Sequence, residues 1–124
     1  MRNGGHLKKL VSILTVLASL LWMPSSMAYT VDEVVDAIWK AEGGEKATYP
    51  YGIRSIPCGT KESCRRIATN TVRNQIVRWT ADGRKESFLQ SLQKRYCPVG
   101  GSLDNGTCAN WRRNVEFFIR HPRV

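Results

Sequence analysis

Glu42 is the side chain of this 124-residue chain best placed to do chemistry. Val31, Val34, Val35 and Ile38 recur at i, i+3, i+4 and i+7, and Glu42 follows at i+11 on the same stripe, immediately before Gly43-Gly44. A carboxylate thus stands where helical periodicity asks for a core residue. Burial against apolar neighbours disfavours the charged form and raises a carboxyl pKa, which keeps a glutamate protonated as a general acid near neutral pH. The competing reading is a frayed last turn with Glu42 in solvent. The only other acid nearby in sequence is Glu45, whose Gly-Gly neighbourhood favours a solvated role. Outside the first 28 residues the one histidine is His121, next to the C-terminus, which argues against a Ser/His or Cys/His nucleophile.

Cys58, Cys64, Cys97 and Cys108 are the remaining reactive types. An even count in a short exported chain implies two disulfides, for which three pairings exist. The local bridges Cys58–Cys64 and Cys97–Cys108 are preferred because each would staple a Gly-containing loop beside a predicted helix; the crossed pairings stay open. A zinc site fits poorly, since the intervals are wider than those of zinc knuckles and no histidine is close. No metal or cofactor is expected.

The elements that must position these groups follow a leader. Arg2, Lys8 and Lys9 precede an apolar run from Leu10 to Met23, and Ser26-Met27-Ala28 offers small residues at the cleavage positions. The run of about 14 residues is shorter than the roughly 20 that span a bilayer, so 1–28 reads as a signal peptide cleaved near Ala28, with no permanent membrane span. Residues 29–124 then suffice for one small domain. Its formal charge is +6, from the chain's 19 basic residues less Arg2, Lys8 and Lys9 against 10 acidic ones. That balance favours anionic polymers without choosing among them, and calls for no specific nucleic acid.

Thr30-Val-Asp-Glu33 has the spacing of a capping box and opens the first helix. Gly43 to Gly59 is turn-rich, and Tyr49-Pro50-Tyr51-Gly52-Ile53-Arg54-Ser55-Ile56-Pro57 predicts an extended or hairpin-like piece. Thr60 caps a second helix over 61–79 that buries Cys64, Ile67, Ala68, Thr71, Ile76 and Trp79, and Asp82-Gly83 breaks it. A third over about 85–96 buries Phe88, Leu89, Leu92 and Tyr96. A fourth over about 109–120 buries Trp111, Val115, Phe118 and Ile119. The fold class is mainly α (α+β), with a small β or extended segment after the first helix.

This order, a helix ending in Glu42, a glycine step, a Tyr/Gly-rich segment and further helices, resembles the lysozyme-like superfamily, and most nearly small exported lytic transglycosylases and phage-type lysozymes. The resemblance spans 29–119 as a layout and 38–57 as a motif. Gly52-Ile53-Arg54-Ser55-Ile56-Pro57 is similar to the family's Gly-Leu-Met-Gln-Ile segment, with Arg54 in an apolar position, Ser55 in place of glutamine, and Gly43 where a serine usually follows the glutamate. No counterpart of the family's late tyrosine motif is evident.

The resemblance implies cleavage of peptidoglycan glycan strands in the periplasm or outside a bacterial cell, by hydrolysis or with a 1,6-anhydro product, alone or within an envelope protein complex. Such cleavage needs a protonated acid at the leaving oxygen and a stabiliser for the oxocarbenium-like centre. Glu42 is the candidate acid/base, with Tyr49, Tyr51, Gly52, Ile53, Arg54 and Ser55 as candidate substrate contacts. Tyr51 divides evenly between stacking on a sugar and packing, and packing is favoured for Tyr49 and Trp39. Arg54 suits an anionic lactyl or peptide carboxylate. Asn70, Asn74 and Gln75 are possible polar groove residues, with a solvated face favoured. The alternative is a non-catalytic module binding cell-wall glycan or another polyanion.

Overall fold

A computed structural model describes residues 27–124, so nearly all of the leader expected over 1–28 lies outside the described residues. Four α-helices form: α1 Val31–Ala41, α2 Lys61–Ala81, α3 Phe88–Tyr96 and α4 Cys108–Arg120. No strand is present among the described residues, and the fold is mainly α. None of these helices is long and apolar enough to cross a membrane.

The helix starts are set by side chains that replace missing backbone partners. Thr30 Oγ1 accepts from the Glu33 N–H at 3.1 Å while Glu33 Oε1 accepts from the Thr30 N–H at 3.0 Å, closing the capping box that the sequence predicts. Thr60 caps α2 through the Ser63 N–H at 3.1 Å. Ser87 and Gln90 form a second capping box. It starts α3 at Phe88, three residues later than its apolar pattern predicts, because Arg84 takes a left-handed φ of 54° and Lys85 and Glu86 lead in outside the helix. At the far end of α2, Gly83 at φ 83° turns the chain away.

All four helices bury one stripe in a shared core. Val34, Val35 and Ile38 of α1, Cys64, Ala68 and Val72 of α2, Leu92 of α3 and Val115 of α4 are almost fully enclosed. Each buried Val, Leu or Ile side chain contributes roughly 1.5–3 kcal/mol. Helix α1 is central and packs most extensively on α4, then on α2. Trp79 closes the α2–α3 corner, donating its indole N–H to the Glu86 carbonyl at 2.8 Å and meeting Phe88 edge-on. Val72, absent from the predicted stripe, is buried, whereas Ile67, Thr71, Ile76 and Phe118 are half-buried.

The segment from Gly43 to Gly59 forms two short 3-10 turns, Gly44–Lys46 and Pro50–Gly52, joined through extended residues such as Ala47 and Tyr49. A hairpin would need two facing runs of extended backbone; here the left-handed Tyr51 and Gly52 interrupt them. The disulfides are local. Cys58–Cys64 ties this segment to the first turn of α2, and Cys97–Cys108 joins the end of α3 to the start of α4.

Candidate active site

Glu42 is the C-cap of α1. Its N–H still bonds the Ile38 carbonyl at 2.9 Å, and Gly43 at φ 112° then ends the helix. The helix thereby delivers the side chain half-buried at one edge of the core. Trp111, one turn into α4, donates its indole N–H to Glu42 Oε1 at 2.9 Å. Its ring stacks on Tyr96 at a centroid distance of 5.3 Å and 22° between planes. The Tyr96 hydroxyl in turn donates to the Tyr51 carbonyl at 2.5 Å. One chain of contacts thus runs from the acid through two aromatic rings to the backbone that covers it.

That backbone is Gly52. A Cβ built on it would stand 2.6 Å from Glu42 Cδ and 2.7 Å from Oε2, so only a glycine lets the chain approach so closely. Pro50 starts the tight turn, closed by the Gly52 N–H on the Tyr49 carbonyl at 2.8 Å. Tyr51 adopts φ 58°, a conformation that costs an ordinary residue about 1–2 kcal/mol. Burial of its ring, 1 % exposed, and the bond from Tyr96 offset that strain.

Burial pushes the Glu42 carboxyl above its ordinary value of 4.5; the Trp111 N–H and the positive charge of Arg54 oppose the rise without cancelling it. Its place at the C-terminal end of α1, where the helix dipole is negative, also favours the protonated form. Burial, with Glu42 and Tyr51 adding to it, raises the Tyr96 phenol further above its usual range, so Tyr96 stays a donor. Asp104 behaves oppositely. Backbone N–H groups of Gly100, Gly106 and Cys108 hold its carboxyl below the usual value, with both oxygens engaged at 2.8–3.2 Å.

Three hollows meet at this point. One, of about 240 Å3, lies between Glu42, Gly52 and Arg54 and the 95–108 region, including Tyr96, Leu103 and Asp104. Another, also about 240 Å3, is lined by Glu42, Thr48, Tyr49, Gly52 and Arg54. The third, of about 370 Å3, runs past Ile53, Ser55, Ile67, Thr71 and Arg95. All three share Gly52 and Arg54, so together they form an open groove with Glu42 part-way along it. A run of three adjoining hollows accommodates a stretch of a polymer better than a compact small molecule does.

The structure brings Glu42, Tyr49, Gly52, Ile53, Arg54 and Ser55 together along this groove. Tyr51 is a correction: its ring turns into the core, and its hydroxyl faces Arg65 at 3.5 Å, beside Asp36 on the opposite side of α1. The left-handed turn at Tyr51 sends its side chain inward and leaves only its carbonyl near the groove. Tyr49, for which packing is favoured in the sequence, is instead 48 % exposed and lines the hollow beside Glu42. Trp39 borders a separate hollow behind α1, under the Lys61 ammonium. Glu45 pairs with Lys61 at 3.1 Å and lines none of the three hollows. Asn70 and Asn74 are exposed, and Gln75 bonds Ser91 between α2 and α3.

Sequence reasoning missed Trp111 and Tyr96 as site residues, assigning both to the core, and missed Arg95, Leu103 and Asp104 altogether. The available signal was chemical: a buried indole N–H or phenol O–H requires a polar partner, and Glu42 was the unplaced acceptor. No protein-family model, curated protein or solved structure matches this chain.

Proposed function

We propose that this chain cleaves the glycan strands of bacterial peptidoglycan, with Glu42 as general acid and then base, in a lysozyme-like domain exported from the cell that makes it. The observation that carries this reading is the Glu42 carboxyl itself, raised by burial, held by the Trp111 N–H, roofed by Gly52 and opening onto a groove. A general acid needs a proton near neutral pH and a fixed position beside the leaving oxygen.

Asp104 is the other carboxyl in the groove, and both its oxygens are committed to backbone N–H groups. Those bonds fix Asp104 as an anion and reduce its nucleophilicity; the resemblance to lytic transglycosylases, which need no second carboxylate, favours the single-carboxylate route. Glu42 gives its proton to the glycosidic oxygen as the C1–O bond breaks; the resulting carboxylate then takes the proton of the muramic 6-hydroxyl as that oxygen bonds C1. The product is a 1,6-anhydro sugar, no water is consumed, and Glu42 returns to its protonated state.

The test is digestion of purified peptidoglycan by the protein and by Glu42→Gln, with products identified by mass spectrometry. Anhydro-muropeptides that vanish in the variant are expected. Reducing-end products that vanish instead mean hydrolysis, and no release by the folded wild-type protein leaves a glycan-binding module.

A further inference from the structure

Two cations stand over the groove with no carboxylate paired to them. Arg54 borders all three hollows and Arg95 borders two. Five ion pairs form among the described residues, and neither arginine takes part in any of them. Arg54 is steadied by an aromatic face, its guanidinium lying 5.3 Å from the centroid of the Tyr49 ring. Neither acid of the groove forms an ion pair with them: Glu42 is half-buried and held by the Trp111 N–H, and the Asp104 oxygens accept from backbone N–H groups. A planar guanidinium held beside a sugar-sized groove is suited to bidentate recognition of a carboxylate on the ligand.

We infer that the groove selects a carboxylate-bearing amino-sugar polymer over a neutral one, through Arg54 and Arg95. This rests on the glycan-cleaving reading and specifies the substrate class: strands carrying lactyl or peptide carboxylates are bound, and chitin-like strands are discriminated against. The two cations, which share two of the three hollows, hold the strand by its substituents while the glycosidic bond lies over Glu42.

Calorimetric binding in a Glu42→Gln background, which leaves the probes uncut, tests this. The probes are a peptide-free tetrasaccharide with free lactyl carboxylates, its peptide-bearing counterpart, and neutral chitotetraose. At low salt a charged probe is expected to bind about tenfold tighter than chitotetraose, the lower end for a hydrogen bond to a charged group. Added salt should narrow the gap, and Arg54→Gln combined with Arg95→Gln should close it. Preference for the peptide-free probe assigns the lactyl carboxylate, and preference confined to the peptide-bearing probe assigns the peptide.

Equal affinity for all three probes, no binding of either charged probe, or a gap unchanged in the double variant overturns the inference. So does a heparin tetrasaccharide binding as tightly as the charged probes, which would mean general polyanion affinity. Glu42-dependent digestion without charge preference sinks only this inference. Charge preference without digestion sinks the cleavage reading and leaves a selective binding groove.

Discussion

Replacing Gly52 with alanine adds one methyl group and separates two effects that meet at this residue. Its φ of +68° strains any L side chain, at a cost of roughly 1–2 kcal/mol. Its Cβ would also lie 2.6 Å from Glu42 Cδ, against the roughly 3.5–4 Å at which carbon atoms rest. The carboxyl must retreat by about 1 Å, and a shift of that size away from the indole takes the 2.9 Å bond from Trp111 beyond hydrogen-bond distance. In a domain of this size the strain lowers Tm by about 4–8 °C per kcal/mol, and a displacement of about 1 Å at the reacting group costs on the order of a hundredfold in rate. Gly83→Ala is the control. Its φ is +83° with nothing within 4 Å, so it carries the strain without the overlap. Thermal melts should show both variants destabilised, Gly52→Ala by more than Gly83→Ala because of the overlap, while muropeptide release, measured well below either Tm, collapses only in Gly52→Ala. Wild-type activity in Gly52→Ala, or an equal loss in Gly83→Ala, would refute the placement of Glu42 beneath Gly52.

Trp111→Phe removes an N–H that favours the ionised carboxylate, so the falling limb of the pH–rate profile should move to higher pH while the plateau drops; a plateau that drops with the limb fixed would mean a structural role only. Because the folded state raises the Glu42 pKa above 4.5, it holds that proton more tightly than the unfolded chain does. That contribution to stability is complete below pH 4.5 and is lost as pH rises through the folded value. Tm of wild type minus Tm of Glu42→Gln should therefore fall as pH rises above 4.5, and a flat difference would contradict the raised pKa. Reduction opens loops with sequence separations of 6 and 11, each worth about 2–3 kcal/mol by loop entropy; a Tm indifferent to reductant would contradict this.

The helices were legible wherever caps and periodicity agreed. Thr30-Glu33 and Thr60 mark their helix starts, Asp82-Gly83 marks an end, and Glu42 stands out because it breaks an apolar stripe. Periodicity reports which face is buried, but not what a buried polar atom bonds. Trp111 and Glu42 are 69 residues apart, and nothing local in either stretch announces their meeting. The reversal of Tyr49 and Tyr51 has a different origin. Both lie in a Pro/Gly-rich run of aromatic residues that reads as extended, and the left-handed φ at Tyr51, sustained by core burial and by Tyr96, is a tertiary effect. Arg95 has no signal of its own, because a solvated helix arginine and a groove-lining one look alike in sequence.

The bridge between Cys97 and Cys108 lies next to both rings that hold the acid. Tyr96 precedes one cysteine directly, and Trp111 follows the other by three residues, one turn along α4. The covalent link that staples the fold is therefore also the clamp that brings the two rings into their stack. A newly made chain with free thiols has its glutamate but lacks this clamp, so its two rings are held by packing alone. On the proposed reading of an exported glycan-cleaving domain this would be a form of latency, with activity appearing only once the thiols are oxidised outside the reducing compartment of synthesis.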